Sequence, residues 1–175
     1  MELTLSHNCV LHTDLLSPDG QSLYTISTPR RFPRKATTIT KAVLDDKGRP
    51  TGESEELATI HWHCFRNSQL VYNDKITDIN DFMPSQGMFR RTRCLTAPDG
   101  KSYRWKMGCH TSHLEVDEVT GEHSVVARMR QRNILRGTKP VLEIDELSVD
   151  LLDLVVVTWV FVEQKRRDRQ HHQHL

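Results

Sequence analysis

The feature that most limits how this chain can fold lies near its C-terminus. The run "LVVVTWVFV" (154–162) is preceded by Asp150 and Asp153 and followed by Lys165, Arg166 and Arg167. It has three fates open to it: a membrane span, a buried strand or a buried helix. A spanning helix needs about 20 mostly apolar residues, and a central Asp costs roughly 2.5–3.5 kcal/mol on insertion. The run is too short, so no transmembrane segment is expected. Val155, Val156, Val157, Val160 and Val162 favour a strand by propensity. The ends favour a helix. Asp150 suits an N-cap, Asp153 sits where a capping carboxylate reaches back, and the basic cluster sits where a last turn favours positive charge. A helix apolar on every face must be enclosed on every face. The expectation is a buried helix over about 150–167, with the polar, His-rich residues 168–175 as a flexible tail.

The enclosure has to come from the rest of the chain, which reads as short strands and turns. "QSLYTIST" (21–28), "ATTITKAVL" (36–44), "ELATIHWHCF" (56–65), "SQLVY" (68–72), "KSYRWKM" (101–107), "HSVVARMR" (123–130) and "PVLEID" (140–145) are rich in β-branched or aromatic residues. "SPDG" (17–20), "DDKG" (45–48), "APDG" (97–100) and "VTGE" (119–122) are turn-forming. The predicted fold is mainly β: a closed antiparallel barrel of about 10–12 strands around the C-terminal helix, in one domain over residues 1–167. "SPDGQSLYTI" (17–26) and "APDGKSYRWK" (97–106) echo one another, either as related β-units or as one common hairpin turn used twice.

Residues 56–63 ("ELATIHWH"), 81–107 ("DFMPSQGMFRRTRCLTAPDGKSYRWKM"), 140–145 and 151–169 carry a resemblance over nearly the whole chain. They resemble a fungal family of unknown function placed near the Tubby C-terminal-like superfamily, which includes tubby-like, phospholipid scramblase and LURP-one-related proteins. The most specific parts are R-x-R-x-x-x-A-P-D-G-x-x-Y-x-W (91–105) and L-L-D-L-V-V-V-T-W-V (151–160). The resemblance implies a barrel around a central helix, and either lipid or phosphoinositide contact or a protein-interaction scaffold. It supplies no catalytic residues.

With 37% hydrophobic residues and a formal net charge of +1, nothing global recruits nucleic acid or an acidic membrane, so binding of either kind needs a local patch. Four basic clusters qualify: 29–35, 89–93, 128–136 and 165–169. On strands, Arg128, Arg130 and Arg132 alternate onto one face, as do Arg91 and Arg93. Arg30, Arg31 and Arg34 surround Phe32, an apolar wedge beside charge. Guanidinium groups bind phosphate bidentately, so these eight arginines are the candidate ligand-binding residues. The competing reading is a solvated exterior balanced by acidic neighbours. No nucleic-acid-binding module is recognisable.

His61 and His63 also alternate onto one strand face. With His110 and His113 they form an alternative metal set, and with Cys109 and His110 an alternative catalytic cleft. The spacing is diagnostic of neither, and no metal or cofactor is expected. Glu143, Asp145, Glu146 and Asp150 lack the alternation and central Gly of a calcium loop. Cys9, Cys64, Cys94 and Cys109 form no C-x-x-C pair, and "MELTLSHNCVLHTDLL" has no signal-peptide pattern. A reducing, cytoplasmic setting is expected, with peripheral membrane contact. The functional expectation is a non-enzymatic module that binds anionic phospholipid or phosphoinositide headgroups. A small enzyme and a protein-interaction scaffold are the alternatives.

Overall fold

The computed structural model describes residues 1–29, 36–63, 67–117, 123–133, 137–145 and 151–173. Strands β1 (Glu2–Leu5), β2 (Thr13–Leu16), β3 (Ser22–Ser27), β4 (Ala36–Leu44), β5 (Pro50–His61), β6 (Gln69–Tyr72) and β7 (Lys75–Asp78) precede a short helix, α1 (Ile79–Phe82). Strands β8 (Ser85–Gln86), β9 (Thr92–Thr96), β10 (Ser102–Met107), β11 (Ser112–Asp117), β12 (His123–Arg130) and β13 (Val141–Ile144) follow, and α2 (Leu152–Gln173) closes the described chain. All thirteen strands form one antiparallel sheet, ordered β7-β6-β5-β4-β3-β2-β1-β13-β12-β11-β10-β9-β8. Every neighbour is consecutive in sequence except β1 and β13, so the sheet is a meander.

The expected closed barrel is not what forms. The sheet is open, with β7 and β8 as its edges and no ladder joining them among the described residues. The strand count also exceeds the expected range. Between β7 and β8 the chain coils into α1, whose first turn is capped where Asn80 N–H donates to Asp78 Oδ1 at 2.8 Å. β8 is two residues long, and Pro84 before it has no N–H for a ladder. Other contacts span the seam. Cys94 N–H donates to Pro84 O at 3.0 Å, and Arg93 Nη1 donates to Asn80 Oδ1 at 2.7 Å and Met83 O at 2.8 Å.

The apolar run is a helix, as its ends suggest. Every residue in 154–163 is buried, and α2 meets β3 through Asp153, β10 through Thr158 and β11 through Glu163, so the sheet bends around it. Backbone satisfaction explains why a valine-rich run coils here. A lone strand inside the sheet would leave its N–H and C=O groups unpaired, whereas a helix pairs its own. Burial of each large apolar side chain then contributes roughly 1.5–3 kcal/mol, which outweighs helix propensity. Thr158, the polar residue in the run, donates to Leu154 O at 2.7 Å and accepts from Trp105 Nε1 at 2.9 Å. No helix among the described residues is long and apolar enough to cross a membrane.

The two ends of α2 depart from expectation. Asp150 lies outside the described residues. The Asp153 carboxylate accepts from Tyr24 Oη at 2.6 Å and Lys41 Nζ at 2.7 Å, so it anchors the first turn to β3 and β4. At the other end the helix runs past 167 to Gln173, so residues 168–173 are helical instead of a flexible tail. The extra turns are held by the connections they reach: Arg169 Nη2 donates to Arg90 O at 2.8 Å, and Gln170 Nε2 donates to Cys109 O.

The Pro-Asp-Gly echo is accounted for by turn geometry. Gly20 N–H donates to Ser17 O and Ser17 N–H to Gln21 O. Gly100 with Ala97 and Lys101, and Gly48 with Asp45 and Arg49, repeat this pattern. Each glycine has φ between +73° and +79°, the left-handed residue of a hairpin closed by a bulge. The third instance, in "DDKG", means the motif needs no duplication to explain it. The expected turn at 119–122 lies outside the described residues. Gly20 and Gly100 have open space where a Cβ would go, so a substitution there costs backbone strain alone. Gly20→Val and Gly100→Val are each expected to destabilise by about 1 kcal/mol or more. A thermal melt should register a drop of about 2–4 °C, and unchanged melts would show the positive φ to be unimportant.

Candidate anion-binding surface

A meander places successive connections at alternate ends of the sheet, and here it sorts charge. One end receives the turns at 17–21, 45–49, 73–74 and 97–101 and the start of α2, bringing Asp19, Asp45, Asp46, Asp74, Asp99, Asp145 and Asp153. The other end receives Arg90 and Arg91 between β8 and β9, and Arg132 and Lys139 between β12 and β13. Lys165, Arg166, Arg167 and Arg169 join them from the last turns of α2. The sorting is partial: Lys47, Arg49 and Lys101 stand in the turns of the acidic end, with Arg49 paired to Asp45 at 3.3 Å, and Asp78, Asp81 and Asp168 lie at the basic end.

The basic end is densest where the β8–β9 connection meets α2. Residues 87–90 form a turn closed by Arg90 N–H to Gly87 O at 3.1 Å, with Gly87 at φ +78° and Arg90 at φ +49°. Arg169 donates to the Arg90 carbonyl, and Met107 N–H donates to Arg91 O at 2.8 Å, so the connection is tied on both sides. The Arg91 guanidinium lies 5.8 Å from the Phe89 ring centre, and that of Arg93 lies 5.2 Å from the Phe161 ring. Lys165 Nζ sits 5.7 Å from the Phe161 ring and 5.9 Å from that of Trp62.

Electrostatically this cluster is under-compensated. Burial, then the neighbouring charges of Arg169 and Arg90, push the Arg93 guanidinium below its ordinary pKa, against a smaller opposing pull from Asp78. Burial and then Arg91 do the same to Arg169. Arg93 Nε and Arg169 Nη1 are buried donor atoms without a hydrogen-bond partner. Arg166 and Arg167 differ from these, because both donate to the buried Glu163 carboxylate. An anion at this end would lower the mutual repulsion of Arg90, Arg91, Arg93 and Arg169 and could accept from the exposed Arg90 and Arg91 guanidinium groups.

The candidate residues read from sequence are scattered over this frame. Arg30, Arg31, Arg34 and Phe32 lie outside the described residues, as does Cys64. Arg91 is exposed before β9 begins, whereas Arg93 shares the inner face with Leu95 and is committed to α1. The two do not form one outer face. Arg128 and Arg130 do share the outer face of β12, and Arg132 lies beyond the strand end. That face is charge-balanced. Arg130 pairs with Glu143 at 3.0 Å and Glu2 at 3.5 Å, and Arg128 stands opposite Glu143 in the ladder.

The histidines do not converge. His61 ends β5, His110 is exposed between β10 and β11, and His113 pairs with Glu115 at 3.0 Å. Cys109 is exposed, and its carbonyl accepts from Arg166 Nη1 at 3.1 Å and from Gln170. Among the described residues no group of three or more His, Cys, Asp or Glu is placed to hold a metal ion. Sequence reading singled out 89–93 and 165–169 as separate basic clusters and missed that they meet. It also passed over Met88 and Phe89, although two large apolar residues next to a Gly in a turn were a visible signal.

No curated protein and no solved structure matches the chain. One family model matches residues 8–168, a stretch that takes in β2 to β13 and most of α2, and the chain belongs to that family, a family of unknown function designated DUF6593.

Proposed function

We propose that the protein is a non-enzymatic module that docks on anionic phospholipid or phosphoinositide headgroups through its basic end, at the cytoplasmic face of a membrane. The observation that carries this reading is the meeting of Arg90, Arg91, Arg93 and Arg169, none ion-paired to a carboxylate among the described residues. Guanidinium groups match phosphate oxygens in geometry as well as charge.

Each basic residue near an anionic surface contributes roughly 1 kcal/mol, so removing three should cost ~3 kcal/mol of binding, more than a hundredfold. Co-sedimentation with phosphatidylserine-containing vesicles tests this. Arg90→Gln/Arg91→Gln/Arg169→Gln is expected to lose most binding; the exposed Arg90 and Arg91 contribute little to stability, and loss of the Arg169 bond to Arg90 O should lower the melting temperature by only about 2–4 °C. Arg128→Gln/Arg130→Gln should bind nearly as well as wild type, since that face is already neutralised by Glu143 and Glu2. Added salt should weaken wild-type binding as the Debye length shrinks. Wild-type protein that stays in the supernatant with anionic vesicles at every salt concentration would overturn the proposal in favour of a protein-interaction scaffold.

A further inference from the structure

We infer that the 87–90 turn is a membrane-insertion tip, with Met88 and Phe89 entering the acyl layer while Arg90 and Arg91 hold headgroup phosphates; this rests on the docking surface proposed above. Met88 is 90% exposed and Phe89 72% exposed. Turn corners favour Gly, Pro, Asn and Asp, which supply the dihedrals and the solvation a turn needs. The turns at 17–20, 45–48 and 97–100 obey that rule with Asp and Gly, as does 73–74 with Asn and Asp. Only the 87–90 turn, among these described turns, sets two large apolar side chains at its corner. Ile76, also 71% exposed, stands singly on edge strand β7, away from the basic end.

Relaxation of a loose loop does not account for that exposure. The turn is closed by its own hydrogen bond, tied to α2 through Arg169 and to β10 through Met107 N–H. A rigid tip loses little conformational entropy on insertion. The Arg91 guanidinium beside the Phe89 ring stacks charge and apolar surface in the order in which a bilayer presents phosphate and hydrocarbon. Charge selects the partner. Arg90, Arg91 and Arg169 adjoin the tip with no carboxylate bonded to them among the described residues, which matches an anionic bilayer. The acidic residues at the opposite end would orient the molecule tip-first toward such a surface.

Two measurements test this on the full chain. F89W protein is mixed with phosphatidylserine-containing vesicles whose acyl chains carry a doxyl quencher, and wild type supplies the background from Trp62, Trp105 and Trp159. F89W emission is expected to shift to the blue and to be quenched, whereas soluble glycerophosphoserine should leave it unmoved. Met88→Ser/Phe89→Ser is expected to bind the same vesicles about tenfold more weakly, about 1.4 kcal/mol, with unchanged melting temperature and retained salt sensitivity. If the double variant binds as wild type and F89W is not quenched, the tip is wrong while electrostatic docking stands. A blue shift with glycerophosphoserine would assign the turn to a headgroup instead of the bilayer. If wild type binds no anionic vesicle at all, the docking surface and the tip both fall.

Discussion

Trp159→Asp is expected to leave no cooperatively folded protein at 25 °C. Trp159 is 0% exposed at the middle of α2, and even its own Nε1 has no hydrogen-bond partner. A carboxylate placed there would sit within the buried apolar core. Burying an unpaired charge costs several kcal/mol, and losing the indole adds a cavity cost of about 3–5 kcal/mol. Together these match the whole stability of a typical domain, about 5–15 kcal/mol. Trp159→Phe is the matched control: it removes no hydrogen bond and should keep the fold at a cost of about 1–2 kcal/mol. Circular dichroism melts distinguish the two, and a Trp159→Asp protein that melts like wild type would mean that α2 is not enclosed.

The second large effect concerns Glu163, 0% exposed at the other end of the buried run. Its carboxylate accepts from Arg166 Nη2 at 2.7 Å and Nε at 2.8 Å, Arg167 Nε at 3.0 Å, Ser112 Oγ at 3.0 Å and Gln131 Nε2 at 3.2 Å. Glu163→Ala strands the Arg166 guanidinium, itself 4% exposed, without its partner, which should destabilise by about 3–5 kcal/mol. The same network sets an acid limit. Burial alone would raise the Glu163 pKa, but Arg166 and Arg167 outweigh it and hold the carboxyl below its ordinary 4.5. A carboxylate with a depressed folded pKa stabilises fully above its unfolded value, and that stability is lost as pH falls through the folded one. Urea midpoints should therefore plateau above about pH 5 and decline below about pH 4.5. Glu163→Gln should flatten that limb in part, because Glu115 is also held low, against burial, by Lys106 and His113. An acid limb identical to wild type in Glu163→Gln would remove Glu163 from the account.

Much of this architecture is legible locally. Residues 36–44 and 123–130 match β4 and β12, because β-branched residues and alternation act over a few positions. The Pro-Asp-Gly turns follow from one glycine's access to positive φ, and the enclosure of 154–162 follows from an apolar run too short to span and charged at both ends. The strands β1, β2, β7, β8 and β11 are absent from that reading, and length does not separate them, because the four-residue β6 and β13 are legible whereas β11 has six residues.

Other properties depend on which segments become neighbours. The sheet stays open because α1 and Pro84 interrupt the strand pairing between β7 and β8, and α2 extends to Gln173 because Arg90 and Cys109 offer carbonyls to its side chains. The arginines of β12 look like a phosphate-binding stripe in sequence, yet Glu143 and Glu2 neutralise them from β13 and β1. Residues 89–93 and 165–169 read as two separate basic clusters in sequence, and only the fold brings Arg169 onto the Arg90 carbonyl. Propensity and turn chemistry are sums over adjacent residues, so sequence alone determines them. Charge compensation and strand closure are pairings between residues far apart in the chain, and the tertiary structure decides those.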